Sequence, residues 1–173
     1  MSILTTDRLI ITKWQVGDWQ RLHAIMSDAE VMRYVGPYRP LSQIEARTFI
    51  DEKVQEQGRQ EPTTWSVRRK QSAELVGYCG YFTRRYGEYL NEREIGWLLS
   101  RQYWNQGIMT EAASAVLRYG FDAYNLETVI ASARPQNIGS LSVMKKIGMK
   151  SIGDSKNLLG MPVPHFRMDR PHA

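Results

Sequence analysis

The stretch from Glu94 to Met149 constrains the fold more than any other part of the chain. It predicts a strand over Glu94–Ser100, a turn over Arg101–Ile108 and a long helix from Met109 to Tyr124. A second strand over Thr128–Arg134, a turn at Pro135 and a helix from Asn137 that stops at Gly148 follow. Strand, helix and strand in that order make a βαβ unit, whose strands run parallel with a right-handed crossover. Ala113, Val116, Leu117, Gly120, Phe121 and Tyr124 fall on one face of the long helix, with small Ala112 and Ala115 beside it. Such a face packs closely on a sheet.

The flanks predict antiparallel elements. Arg8–Trp14 reads as the first strand, and Val16–Met26 as a short helix. Asp28 is placed to cap a second short helix reaching Tyr34. Ser42-Gln43-Ile44-Glu45 is a capping box that opens a helix running towards Gln57. Thr64–Arg69 and Leu75–Phe82 form a pair across a tight connection, and Arg84–Arg93 is a polar loop. Lys150–Ser155 and Pro164–Asp169 close the chain. Most of these strands are antiparallel and one βαβ crossover comes late, so the expected class is α+β around a mixed sheet.

The 173 residues suggest a single domain over 1–173. Hydrophobic residues at 42% and charged residues at 24% fit a globular chain. No apolar run is long enough to span a bilayer, and the first residues lack the pattern of a signal peptide. One cysteine, Cys79, forms no internal disulfide and points to a reducing cytoplasm. It lies in an apolar strand and reads as an inert buried thiol. A net charge of +5 suits anionic ligands. The small basic clusters at Arg68-Arg69-Lys70, Arg84-Arg85 and Lys145-Lys146 read as solvated surface, and no basic stripe interleaved with aromatics supports nucleic-acid binding. His23, His165 and His172 have no ligand spacing, so no metal is expected. The sequence leaves a monomer and a homodimer equally open.

The turn from Trp104 to Glu111 holds one glycine, Gly107, ahead of the long helix. A helix N-terminus offers unpaired N–H groups and partial positive charge, so it suits a phosphate, although an ordinary turn would look the same. Glu111 in the first helical turn reads as compensation of the helix dipole.

The letters Glu94, Ile95, Gly96, Trp97, Leu98, Leu99, Tyr103, Trp104, Gly107, Thr110, Glu111 and Ala112 resemble the acetyl-CoA-binding core of the GNAT N-acetyltransferase superfamily. The similarity is closest to the branch that acetylates the N-termini of ribosomal proteins. Asn137, Ser140, Val143, Lys146, Gly148 and Met149 match that branch's later motif. Thr6-Asp7-Arg8-Leu9 and Asp28–Tyr34 match its opening. The resemblance covers nearly the whole chain. It implies the GNAT fold, a mixed central sheet whose two parallel strands splay to admit a pantetheine arm, with flanking helices. Three departures stand out: Asn105 where the family has glycine, Met109 where it has a small residue, and Arg101 where it has proline.

Resemblance also assigns expected roles. Backbone N–H groups of Asn105, Gln106, Gly107, Ile108, Met109 and Thr110 would hold the pyrophosphate; the Thr110 hydroxyl could cap the helix instead. The backbone of Trp97, Leu98 and Leu99 would pair with pantetheine, their side chains serving only as core. Asn137 would touch the same arm while also capping a helix, since one amide has both donors and an acceptor. Many GNAT enzymes place a tyrosine acid at the position of Met144; the branch matched here has a serine near the sulfur, matched by Ser140.

Acyl transfer to an amine needs a base, and Glu94 and Glu92 at the entry of the strand are the candidates. An ion pair with Arg93 or another cation is the plain alternative for each. His165 is a second-rank base, and Trp14, Tyr34, Tyr81 and Tyr86 are candidates for the acceptor wall. No Ser or Cys sits beside a His in a motif, which favours direct attack in a ternary complex over a covalent intermediate. The expected activity is acetyl-CoA-dependent acetylation of a primary amine, a protein or peptide N-terminus or else a small molecule. A non-catalytic acyl-CoA-binding module is the alternative.

Overall fold

The structure, a computed structural model, describes residues 2–59, 61–85, 87–157 and 159–171. Its strands are β1 (Ser2–Thr5), β2 (Leu9–Thr12), β3 (Thr64–Arg69), β4 (Leu75–Thr83), β5 (Arg93–Leu99), β6 (Thr128–Ser132), β7 (Lys150–Lys156) and β8 (Pro162–Asp169). Its α-helices are α1 (Trp19–Met26), α2 (Ala29–Met32), α3 (Gln43–Glu56), α4 (Ile108–Ala123) and α5 (Ile138–Lys146). One sheet takes the order β1-β2-β3-β4-β5-β6-β8-β7. Among the described residues only β5 and β6 pair in parallel; the other neighbouring pairs are antiparallel. This is the α+β, mixed-sheet arrangement expected. Among the described residues no helix is long and apolar enough to cross a membrane.

Local chemistry sets the helix ends. The Ser42 hydroxyl accepts from the Glu45 N–H and the Glu45 carboxylate returns to the Ser42 N–H, so the capping box is formed. The Asp28 side chain accepts from the Glu30 N–H at the start of α2. At the end of α5 the N–H groups of Gly148 and Met149 bond to the carbonyls of Lys145 and Met144, which stops the helix where glycine was expected to.

Two expectations change. The first strand is β1, not Arg8–Trp14: Ser2–Thr5 folds back on β2 in a hairpin. The segment over Val16–Met26 opens as a 3-10 turn at Val16–Asp18 before α1 begins at Trp19. Asp18 accounts for this, because its carboxylate bonds back to the Gln15 N–H and also pairs with Arg68.

Helices cover both faces. On one face α1, α2 and α3 bury Leu22, Ile25, Met32 and Ile50 against Tyr78 and Leu98. On the other, α4 and α5 bury Val116, Leu117, Phe121 and Met144 against Val67, Cys79, Tyr81 and Ile95. Gly120 lets α4 approach the sheet: a Cβ there would meet the Tyr81 hydroxyl at 2.1 Å. That hydroxyl donates to the Val116 carbonyl at 2.9 Å, so this helix–sheet contact is also hydrogen-bonded. Cys79 is fully buried and burial pushes its thiol pKa up, as an inert thiol requires.

Candidate active site

The parallel pair at the sheet's centre barely pairs. β5 follows β4 along its whole length, from Arg93 opposite Thr83 to Leu99 opposite Gly77. β6 follows β8 from Thr128 to Ser132. Between β5 and β6 the register holds only Glu94 opposite Ile130. Beyond that point the strands diverge, and a cleft of about 390 Å³ opens, lined in part by Glu94, Ile95, Gly96 and Trp97 from one side and Ser132, Ala133 and Arg134 from the other. Asn137, Ser140 and Met144 of the α5 region also face it.

Glu94 stands at the vertex. Its Oε1 accepts from the Ser132 hydroxyl at 2.6 Å, which ties the two parallel strands together. Its Oε2 lies 3.5 Å from Arg84 Nη1, so its cation is Arg84 and not Arg93, which pairs with Glu61. Arg84 is 1% exposed. Its Nη2 donates to the Lys156 carbonyl at 3.0 Å, so a residue expected on solvated surface instead braces the buried end of the cleft. Glu92 lies exposed on the preceding loop and is not part of the cleft lining. Of the two carboxylates named as base candidates, Glu94 alone lines the cleft.

His165 is fully buried beside this cluster, with Nδ1 2.8 Å from the Val163 carbonyl and its ring 5.3 Å from the Tyr89 ring. Burial, with Arg84 nearby, holds its pKa below the ordinary value. It does not line the cleft.

At the far end of β5, a 3-10 turn over Arg101–Tyr103 leads into the turn before α4. Asn105 and Gly107 both take left-handed backbone, at φ 58 and 71. Asparagine tolerates that region better than most residues, so the turn forms without the family's first glycine. Met109 is 5% exposed and packs into the core under α4. Its side chain points away from the turn, which removes the obstruction that methionine would otherwise cause. Residues 104 to 107 are exposed, and Gly107 caps α4 with no side-chain bond, so Thr110 is not the cap. Arg101, at the position of the family's proline, pairs with Asp28 at 3.2 Å.

A clasp that the sequence did not announce holds this turn from behind. Arg8 Nη1 donates to the Gln106 carbonyl at 2.9 Å and Arg8 Nε to Glu111 Oε2 at 2.6 Å. Glu111 also accepts from the Thr6 hydroxyl and the Arg8 backbone N–H. Burial opposes the charge on Glu111, but these bonds outweigh it and hold the carboxyl below its ordinary pKa. Carbonyl and N–H of a trans peptide point in opposite directions. Arg8 therefore turns the Gly107 N–H away from itself, towards the open side of the turn. Glu111 acts through this clasp as well as on the helix dipole.

Across the cleft, Asn137 caps α5, its Oδ1 accepting from the Ser140 N–H at 3.2 Å. Trp97 Nε1 donates to the Ser140 hydroxyl at 3.3 Å, so Trp97 is more than core and Ser140 does not simply face solvent. Leu98 is buried in the opposite core, and Leu99 packs on the α4 side. Of the aromatic candidates, Tyr34 lines the cleft. Trp14 and Tyr81 are 3% and 2% exposed core residues, and Tyr86 lies outside the described residues, as does His172. The aromatic wall is made by Tyr38, Phe49, Tyr78 and Phe82. Alternation along β4 could have flagged Tyr78 and Phe82; nothing local marks Tyr38 or Phe49. Among the described residues no cluster of His, Cys, Asp or Glu could hold a metal ion.

A family model described as an acetyltransferase (GNAT) domain matches residues 8–150. The chain is 35% identical over 156 residues to the uncharacterized N-acetyltransferase YnaD of Bacillus subtilis (strain 168), covering 90% of this chain and 87% of that one. A GNAT-family acetyltransferase from Bacillus anthracis superposes with a TM-score of 0.78 at 30% identity, over 95% of both chains. RimL, a ribosomal alpha-N-protein acetyltransferase in complex with coenzyme A, shares the fold at a TM-score of 0.81 and 14% identity, over 98% of each chain. With a diverging parallel pair, a left-handed turn opening α4 and these matches across most of its length, the chain belongs to the GNAT acetyltransferase family.

Proposed function

We propose that the chain moves an acetyl group from acetyl-CoA to a primary amine, with a protein or peptide N-terminus as acceptor. The observation that carries this reading is the gap between β5 and β6 beyond their single paired position. It leaves backbone groups of β5 facing an open cleft, and the turn before α4 lies at the same end of that strand.

The fit to the cofactor is local. The first N–H groups of a helix have no partner within it. Here they start at an exposed turn with two left-handed residues and an inward-pointing Met109. The N–H groups of Asn105 to Thr110 would hold the pyrophosphate, and the backbone of Trp97 to Leu99 would hold the pantetheine arm and polarise the carbonyl. Asn137 uses its amide oxygen in the helix cap, and its NH₂ would serve the arm. Acetyl-CoA supplies the activated acyl group. Glu94 takes a proton from the acceptor amine as the carbon–nitrogen bond forms. The sulfur leaves as a thiolate, to which the Ser140 hydroxyl donates a hydrogen bond as the carbon–sulfur bond breaks; Met144 has no proton to give. Arg84 holds Glu94 at the cleft vertex throughout.

We read residues 1–173 as one domain, a monomer or homodimer working in the cytoplasm, in keeping with a lone buried cysteine. The test is thiol release from acetyl-CoA against a panel of peptides and small amines, with mass spectrometry to locate the acetyl group. Acetylated peptide N-termini are expected. Turnover confined to small amines would move the acceptor to that class, and coenzyme binding without thiol release from any amine would leave a non-catalytic module.

A further inference from the structure

Two residues that line the cleft carry buried donors with no acceptor among the described residues. Asn157 ends β7's side of the connection to β8 and is 9% exposed. Its Oδ1 accepts from the backbone N–H groups of Leu159 and Met161, both at 2.9 Å. Two donors converging on one atom fix which end of the amide is oxygen. The other end, Nδ2, is buried with no partner, and the residue lines the cleft. Arg134 also lines the cleft. Its Nε is buried and unpartnered too, and its guanidinium lies 3.8 Å over the Tyr38 ring.

These donors connect to the vertex. The residue before Asn157 is Lys156, whose carbonyl accepts from Arg84, and Arg84 is the cation beside Glu94. Asn157 and Glu94 are thus two faces of one braced unit, one presenting a donor to the cleft and the other a carboxylate. Beside them the wall is apolar: Met26, Met32, Phe49, Tyr78 and Phe82.

From this arrangement we propose that the acceptor is an aminoacyl group with a large apolar side chain. Its α-amine meets Glu94, its neighbouring carbonyl or carboxylate oxygen accepts from Asn157 Nδ2 with Arg134 at hand, and its side chain lies on the aromatic wall. A buried donor stays unsatisfied unless the ligand brings an oxygen, so a bare alkyl amine is discriminated against. A polycationic amine would set further positive charge against Arg134 and the apolar wall. This inference rests on the reading of the cleft as the amine site. The shared chemistry has two sources, a free amino acid and the first residue of a peptide.

The test uses three compounds of matched side chain: phenylalanine, a peptide beginning with phenylalanine, and 2-phenylethylamine, which lacks the oxygen. Each is measured with the wild type and with Asn157→Asp. Aspartate keeps an oxygen for the Leu159 and Met161 N–H groups, so the turn is retained, but it offers the cleft no donor. The wild type should favour an oxygen-bearing compound over phenylethylamine by about tenfold or more in kcat/KM. The substitution should remove most of that preference, while the variant stays folded and keeps its acetyl-CoA affinity. Whichever oxygen-bearing compound has the higher wild-type kcat/KM identifies the source; the added negative charge should harm a free carboxylate more than a peptide carbonyl.

Equal losses on all three compounds, no loss on any, or equal wild-type use of phenylethylamine overturns the proposal. Calorimetric binding of the same compounds with coenzyme A present separates it from the activity. Asn157-dependent binding without acetylation would sink the transfer reading and support the subsite. Oxygen-bearing compounds that neither bind nor react sink the subsite.

Discussion

Replacing Arg8 with alanine tests whether the turn before α4 is aimed from behind. The substitution removes the ion pair to Glu111 and the bond to the Gln106 carbonyl, while the backbone bond from residue 8 to Glu111 remains. The ion-pair side chains are 42% and 20% exposed, so solvent screens them and the pair contributes about 0.5 kcal/mol. The carbonyl bond adds about 1 kcal/mol. Together they put the stability loss near 1–2 kcal/mol, and each kcal/mol is about 2–4 °C of melting temperature in a chain of this size. The larger effect should fall on the cofactor. On the proposed cofactor reading, the peptide between Gln106 and Gly107, freed from Arg8, would rotate its N–H off the pyrophosphate. The loss of one charge-assisted bond at that site is about 1.4 kcal/mol or more, which is about tenfold in affinity. The assay compares KM for acetyl-CoA with KM for S-acetylpantetheine, which has no pyrophosphate. Arg8→Ala should raise the first about tenfold and leave the second unchanged. If both rise by the same factor, or neither moves, Arg8 is only a structural tie between the first hairpin and α4.

Other outcomes follow from the same geometry. Glu94→Gln keeps the shape and the Ser132 contact but cannot take a proton, so turnover should fall about 10²-fold or more with acetyl-CoA affinity retained; wild-type turnover would remove Glu94 from the base role. Ser140→Ala should slow single-turnover transfer more than it weakens acetyl-CoA binding, and Met144→Tyr should not raise activity, because a tightly packed position resists a larger side chain; an unchanged single-turnover rate in Ser140→Ala would mean that the sulfur leaves without its help. His165 is a base held below its ordinary pKa by burial, so on acidification the unfolded chain takes the proton first. Stability should therefore fall as pH drops from about 6.5 towards the lowered folded-state value. His165→Gln should flatten that part of a melting-temperature profile; an identical profile would mean other groups set the acid sensitivity.

What could be seen in the sequence was what short-range chemistry writes. The capping box at Ser42, the cap at Asn137 and the left-handed stop at Gly148 are each decided within a few residues, and each formed where expected. β1 escaped because four residues before a turn carry little periodicity, and only the pairing with β2 makes them a strand. Arg84 escaped for a deeper reason. Sequence gives its charge but not its burial, and beside Arg85, which is exposed, it looked like surface. It is buried because Glu94, Lys156 and Tyr89, from three separate segments, converge on it. The aromatic wall is of the same kind: Tyr38, Phe49, Tyr78 and Phe82 meet only after the sheet is assembled. The Glu94–Met149 stretch told where the cleft would open, but not what would line its far side.

The interrupted ladder at the middle of the sheet also bears on how the protein avoids its neighbours. Open strand edges are templates for pairing with other chains, and most sheets carry theirs at the outside, where they need charges or prolines as guards. This sheet has two more edges within it, those of β5 and β6 past Glu94 and Ile130. They face each other inside the molecule, with α5 on one side and the loop through Tyr38 near the mouth. A stray polypeptide strand would need to bring its side chains through a space already lined by Trp97, Ser140 and Met144. A slender, unbranched guest would not. The fold thus turns these unpaired edges inward, towards each other, and the width of the gap limits what can pair with them.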